Sequence, residues 1–266
     1  SSEMVVLQVL FLRSAIGLVF LAVSHRFSGE KISLVVKRPG LLLVRTFINI
    51  ISWICFFYGL KYLPLATAVA LFFSFPIFLA ILSVPILGEK VGVRRSLGIL
   101  VGFIGVVLIT RPDAGVSLPM LLMLTAALGW AVVASVTRIL GEGENTSTML
   151  FYTLIGMIIV LGIPQFWMWQ PVDPENYLLL IAIGLFGVIA QFTVTRAYSI
   201  APPSLIAPFE YIALIWAAII GYWLWGDIPD LMSGVGALLI VASGLYIIHR
   251  EAVNSRELKN KLEFND

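Results

Sequence analysis

The stretch Phe57–Glu89, FYGLKYLPLATAVALFFSFPIFLAILSVPILGE, returns in diverged form at Thr195–Asp227 as TRAYSIAPPSLIAPFEYIALIWAAIIGYWLWGD, 138 residues later throughout. At that offset Pro64 falls on Pro202, Ala80 on Ala218, Gly88 on Gly226, Glu89 on Asp227 and Gly98 on Gly236. The chain reads as a tandem duplication of one apolar unit. Internal symmetry of this kind is a signature of secondary transporters, which bind substrate between two related parts near the middle of the bilayer.

Outside the duplicated stretch the composition says the same. Hydrophobic residues make up 60% of the chain and charged residues 12%, about half the charged share of an ordinary soluble domain. A helix needs about 20 apolar residues to cross a hydrocarbon core, and runs of about that length follow one another with short polar breaks. They are Met4–Ser24, Leu41–Leu60, Ala66–Leu87, Ser96–Thr110, Pro119–Leu140, Thr148–Trp169, Leu178–Ser199, Ser204–Trp225 and Leu231–Ile248. The short run Ser96–Thr110 is expected to borrow Arg95 or Arg111 as a snorkelling end. The alternating pattern of a transmembrane barrel is not seen. The predicted fold is all-α, a polytopic membrane helical bundle built from two inverted five-helix repeats.

Nine runs do not divide into two equal repeats. Subtracting 138 from Pro119–Leu140 places the missing partner before residue 1. The expectation is ten helices in the intact protein and nine in this chain, with a protein of nine helices as the plain alternative. The repeats are placed at 1–111 and 119–248, followed by a charged tail at 249–266.

Basic residues set orientation, because loops rich in Lys and Arg stay in the cytoplasm. Placing the loop 27–40 there puts Arg26, Lys31, Lys37, Arg38, Lys90, Arg94, Arg95, Arg138, Arg250, Arg256, Lys259 and Lys261 on one side. Only Lys61 and Arg111 fall opposite, while Arg13, Arg45 and Arg196 lie inside the spans. The C-terminal tail is expected in the cytoplasm, and the net charge of +2 gives a nucleic-acid role no support. The lone Cys55 allows no intramolecular disulfide and reads as a small packed residue.

Ionisable groups inside a membrane cost roughly 2.5–3.5 kcal/mol and are functional suspects for that reason. Of the fifteen acidic residues only Glu210 lies within an apolar run, two residues after Pro208. A proline there frees a backbone carbonyl. Glu210 suits a substrate cation or a coupling proton; a structural ion pair with Arg13 or Arg45 is the plainer use. Arg45, Asn49 and Trp53 recur every four residues and share a helix face. At the offset, Trp53 corresponds to Gln191, which makes a short polar stripe with Thr195. Those polar groups either line a cavity or simply bond between helices. Trp130 and Tyr211 are candidates for stacking on a planar substrate; Trp167, Trp169, Trp223 and Trp225 lie at helix ends as interfacial anchors. Pro64, Pro76, Pro85, Pro202, Pro203 and Pro208 bracket the duplicated helices, and Gly98, Gly102 and Gly105 permit close helix packing.

FYGLKYLPLATA at 57–68, LGEKVGVRRSLGILVGFIGVVLITRP at 87–112, APFEYIALIWAAIIGYWLWGDIPD at 207–230 and ASGLYIIHRE at 242–251 together resemble the EamA-like branch of the drug/metabolite transporter superfamily. The likeness spans nearly the whole chain. It implies two inverted five-helix repeats, cytoplasmic termini, a central cavity and no ATP-binding domain. The branch with such endings is similar to uptake carriers for S-adenosylmethionine and riboflavin, alongside exporters of amino acids and other metabolites. Many members carry an acidic residue before the proline at the position of Phe75–Pro76; here Phe75 stands there, which leaves Glu210 as the acid within the membrane.

A membrane-embedded enzyme would need a reactive cluster, yet His25 and His249 lie at predicted helix ends and Cys55 stands alone. No GxxxxGK[ST] phosphate loop occurs. A channel is possible in principle, and saturable counterflow separates it from a carrier. A scaffold would tolerate apolar residues at Glu210, Asn49 and Gln191. The reading favoured by the sequence is a non-enzymatic secondary carrier of a small organic metabolite in a prokaryotic cell membrane (inner or plasma membrane), with the lipid bilayer as its partner. Its expected binding residues are Glu210, Tyr211, Gln191, Asn49, Trp53, Trp130 and Arg45, with no cofactor or metal. Proton coupling, and a monomer or homodimer, fit that reading.

Overall fold

Apolar runs separated by Pro, Gly and charged breaks become helices almost run for run. The computed structural model describes residues 6–28, 32–87, 93–110, 116–201, 206, 210, 212–228 and 230–263. Their helices are α1 (Val6–Ser28), α2 (Pro39–Tyr62), α3 (Leu65–Phe72), α4 (Phe75–Leu87), α5 (Val93–Thr110), α6 (Leu118–Leu140), α7 (Thr146–Met168), α8 (Tyr177–Ile200), α9 (Ile212–Trp225) and α10 (Leu231–Glu263). A 3-10 turn at Pro174–Asn176 leads into α8, and no strand occurs among the described residues. Among the described residues five helical segments are long and apolar enough to cross a membrane: Val6–Val23, Pro39–Tyr62, Leu118–Leu140, Thr146–Met168 and Pro174–Ile200. The protein is an all-α, multi-pass membrane protein.

Helix boundaries repeat at the sequence offset. Residues 39 and 177 open α2 and α8, 62 and 200 close them, 93 and 231 open α5 and α10, and 87 and 225 close α4 and α9. Each of these pairs is 138 apart.

Two elements differ from the expected spans. The run Ala66–Leu87 is broken at Phe73–Ser74 into α3 and α4. Pro76 brings no N–H donor, so it is accommodated in the first turn of a new helix, where a donor would have no partner. Ser74 marks the joint: its N–H and its hydroxyl both donate to the Leu71 carbonyl, at 3.1 and 2.7 Å. At the other end α10 does not stop near Ile248 but runs to Glu263. Neither Gly nor Pro occurs between Leu245 and Glu263, and Glu, Lys, Arg and Leu there are strong helix formers. Tyr211, Pro202, Pro203 and Pro208 lie outside the described residues, as do Lys31, Gly88, Glu89, Lys90 and Arg111.

The chain divides into two compact units, and neither is a sequence repeat. One comprises Ser1–Ile54 with Val136–Ala201, the other Cys55–Ser135 with Pro202–Asp266. The first gathers α1, α7 and α8 with most of α2; the second gathers α3, α4, α5, α9, α10 and most of α6. Helices that correspond at the offset therefore sit in the same unit.

In the first unit α1 packs on α7 and α8 around Leu21, Leu150, Leu154 and Val188. Asn145 caps α7, its side-chain oxygen accepting from the Thr148 N–H at 2.7 Å, which satisfies a donor the helix cannot. The Glu144 carboxylate accepts from the backbone N–H groups of Lys37 and Arg38, placing negative charge by the start of α2 as the helix dipole favours.

In the second unit α10 packs on α5, α4 and α3; Leu71, Phe73, Phe75, Ile109, Met123 and Ile240 are buried in its core. A Cβ built on Gly105 would stand 2.7 Å from the Gly236 carbonyl oxygen. Backbone meets backbone there, the close approach small residues allow between membrane helices. Gly226, at φ +71°, ends α9: its N–H reaches the Tyr222 carbonyl at 3.0 Å and that of Asp227 the Gly221 carbonyl at 3.2 Å. Only glycine takes that left-handed conformation freely. Trp167, Trp169, Trp223 and Trp225 are exposed at helix ends, and Cys55 is a buried free thiol.

Candidate functional site

Residues 45, 49 and 53 of α2 fall four apart, which in a helix stacks them on one face a turn above another. Asn49 and Trp53 line a cleft within the first unit, together with Arg13 of α1, Thr153 and Met157 of α7, and Gly187 and Gln191 of α8. Leu150, Leu154 and Val188 complete the wall. The cleft is narrow, with a cavity volume of about 10 Å³, room for about one water molecule.

Two positions of α2 and the two matching positions of α8 meet in this wall. Gly187 corresponds to Asn49, and Gln191 to Trp53. The duplication thus brings equivalent helix positions to one cleft and fills them with different chemistry: an amide opposite a bare backbone, an indole opposite an amide.

Buried polar groups interrupt a wall that is otherwise mostly apolar. Asn49 is fully buried, and neither its amide nitrogen nor its amide oxygen has a hydrogen-bond partner among the described residues; the same holds for the amide nitrogen of Gln191. Each such group costs about 1–3 kcal/mol when left unmade. Arg13 lays its guanidinium over the Trp53 ring, 4.2 Å from the centroid, an attraction of cation and ring quadrupole.

Arg45 sits one turn behind the wall at 1% exposure. Its Nε donates to the Thr137 hydroxyl at 2.7 Å, its Nη1 to that of Thr153 at 2.6 Å and its Nη2 to that of Thr195 at 3.3 Å. Nη1 also reaches the Met149 carbonyl at 3.5 Å. Thr153 passes the contact on, donating its own proton to the Met149 carbonyl at 2.8 Å. These acceptors are all uncharged oxygens, in place of the carboxylate that the ion-pair reading of Arg45 would require. The Arg45 face carries the charge, and Thr153 connects it with the cleft.

The sequence-named residues therefore sort into groups. Asn49, Trp53 and Gln191 meet in the cleft, with Arg45 and Thr195 behind it. Trp130 lies in the second unit, half-buried on α6, its ring 6.2 Å from that of Phe72; the aromatic neighbour found for it is a core side chain. Glu210 is half-buried in the second unit, ahead of α9. Tyr211 is outside the described residues. Sequence reasoning passed over Arg13, Thr153 and Gly187 as cleft residues. The available signal for Arg13 was a cation inside an apolar run; for Gly187 it was its register with Asn49.

The chain matches the EamA-like transporter family over residues 1–111 and 117–249. It is 31% identical to a riboflavin transporter of Vibrio cholerae serotype O1, over 92% of this chain and 84% of that protein. An S-adenosylmethionine uptake transporter of Rickettsia prowazekii is 32% identical over 80% of this chain and 70% of its own length. A pseudopaline exporter of Pseudomonas aeruginosa is 29% identical over 89% and 84% of the two chains. A chain of known crystal structure superposes with a TM-score of 0.69 at 19% identity, covering 97% of this chain and 90% of its own, so the fold is shared. With the family matched across both repeats and polar groups buried among its apolar helices, this chain belongs to the EamA-like transporter family and is a small-molecule transporter rather than an enzyme.

Proposed function

We propose that the protein is a secondary carrier that moves one small organic metabolite across the bacterial inner membrane by alternating access. The observation that carries this reading is the cleft, where the Asn49 amide and the Gln191 amide nitrogen, on the two helices of a duplicated pair, have no hydrogen-bond partner among the described residues. A structural core would be expected to satisfy such groups or replace them with apolar ones. A substrate supplies the missing partners.

Binding is assigned to the residues singled out from the sequence: Asn49, Trp53, Gln191, Arg45, Glu210, Tyr211 and Trp130. Glu210 holds an amine or sulfonium or carries a coupling proton. The distribution of Lys and Arg supports a cytoplasmic C-terminus. The similarity to the Vibrio and Rickettsia transporters puts riboflavin and S-adenosylmethionine first among substrates, with amino acids beside them. The likeness to a metabolite exporter favours export as the second reading. Monomer and homodimer both suit a carrier with its site inside one chain.

Counterflow in proteoliposomes tests the proposal. Vesicles preloaded with S-adenosylmethionine, riboflavin or a mixed amino-acid pool are given the same compound labelled outside, with wild type and Glu210→Gln compared. Saturable counterflow of one compound, lost in a mutant that still inserts and folds, is the expected result. A linear, non-saturating flux would replace the carrier with a channel, and normal rates in Glu210→Gln would remove that residue from the mechanism.

A further inference from the structure

The charges of the first unit are unbalanced in one direction. Arg13 reaches the cleft and Arg45 lies behind it, whereas among the described residues no acidic side chain lines the wall. Among the described residues the acceptors of Arg45 are all neutral. Arg13 differs from Arg45: its contact is the Trp53 ring, and among the described residues no oxygen accepts from its five N–H donors. A guanidinium taken out of water without hydrogen-bonded acceptors is costly, and an anion with two oxygens matches its donor fork.

Space has been left for that fork. A Cβ built on Gly187 would stand 2.6 Å from Arg13 Nε and 3.2 Å from its Cζ and Nη2. The glycine of α8 is what allows the guanidinium to lie against the cleft wall. Beside it wait the unpartnered Asn49 amide and the Gln191 amide nitrogen, donors that an anionic oxygen can use.

We infer that the cleft is an anion subsite, in which Arg13, resting on Trp53 and seated against Gly187, clasps a carboxylate or phosphate of the substrate while Asn49 and Gln191 complete its hydrogen bonds. This rests on the carrier reading above and narrows it: the transported molecule bears an anionic oxygen group. Arg45 adds a fixed positive background without giving up its threonines. Trp53 holds the Arg13 side chain in place, which spares the substrate part of the ordering cost of a long side chain.

The test is equilibrium binding to the full chain in detergent micelles, read by mass spectrometry, with paired probes. Amino acids are offered beside their α-amides, S-adenosylmethionine alone, and riboflavin beside riboflavin 5′-phosphate. The expected result is retention of a member bearing the anionic group, at least tenfold over its counterpart without that group where it has one, and a loss of at least tenfold in Arg13→Gln. Gly187→Ala, which keeps the charge but displaces the fork, should show a similar loss; Arg13→Lys, a point charge without the fork, should recover part of the binding. Circular dichroism and elution volume check that each variant is folded. If Arg13→Gln does not fold, the Gly187→Ala result decides. Retention of amides or riboflavin as strongly as their anionic partners, anion binding unchanged by these substitutions, or no anion retained at all would each overturn the subsite. Counterflow is scored separately: anion binding without exchange would sink the carrier and keep the subsite, whereas riboflavin exchange indifferent to Arg13 would do the reverse.

Discussion

The Arg13 guanidinium lies 4.2 Å from the centre of the Trp53 ring, joining α1 to α2 across the wall of the cleft. A cation on an aromatic face is worth about 0.5–2 kcal/mol, more as water is excluded. A double-mutant cycle with Arg13→Gln and Trp53→Leu should therefore return a coupling free energy of about 1 kcal/mol in the stability of the detergent-solubilised protein. Coupling of ~0.2 kcal/mol or less would mean the two side chains are merely adjacent, the size of the scatter in ordinary additivity being ~0.3–0.5 kcal/mol.

Asn49 gives the opposite sign. Its buried amide lacks partners among the described residues, so Asn49→Leu removes an unmet hydrogen-bonding demand and should raise stability by about 1 kcal/mol. Transport by the same variant should fall more than tenfold. Thermal unfolding and counterflow on one preparation check both, and a variant that loses stability would show that the amide is satisfied by its surroundings.

Arg45 separates charge from packing. Arg45 has neutral acceptors, so Arg45→Met leaves no opposite charge buried without a partner and should change unfolding free energy by no more than about 1 kcal/mol. Transport should nevertheless fall, because the positive background of the cleft is gone. A folded Arg45→Met protein that exchanges substrate at the wild-type rate would reduce Arg45 to a structural residue.

Gly105 tests the packing of α5 on α10. The obstacle to a Cβ there is the Gly236 carbonyl oxygen at 2.7 Å, part of a backbone that cannot rotate aside. Gly105→Ala should cost about 1–3 kcal/mol through overpacking. Leu100→Ala, on an exposed site of the same helix, serves as the mild comparison. Thermal denaturation of both variants reads the difference directly.

Much of the scaffold was legible because lipid enforces a simple rule: a spanning segment must be apolar and must satisfy its own backbone. The boundaries of α2 and α8 follow from that, and so does their shared register. The break at Ser74 was not read because Pro76 sits in a run that is otherwise continuous and apolar, and a proline can either kink a helix or start one. The length of α10 escaped because hydropathy marks where lipid contact ends, whereas helix propensity continues through the charged tail. At the site, the four-residue spacing of Asn49 and Trp53 was enough to place them together. Arg13 was harder, since its counterpart at the offset is Phe151 and the repeat offers no hint of shared use. Gly187 contributes by the atoms it lacks, which no pattern of side-chain chemistry records. Trp130 shows the converse: an aromatic residue type suits a ligand and a core equally, and its ring lies 6.2 Å from that of Phe72.

The division into compact units also bears on ancestry. α2 and α8, α5 and α10, and α4 and α9 correspond at one offset, and both members of each pair fall in the same unit. A gene encoding one copy of the repeat would have specified half of each unit and the whole of neither. Its product had to meet a second chain before either core could close. On this reading fusion turned an encounter between two molecules into a property of one, and duplication of the gene is what let position 49 become an amide while position 187 became a glycine. Two identical chains could not have made that choice independently.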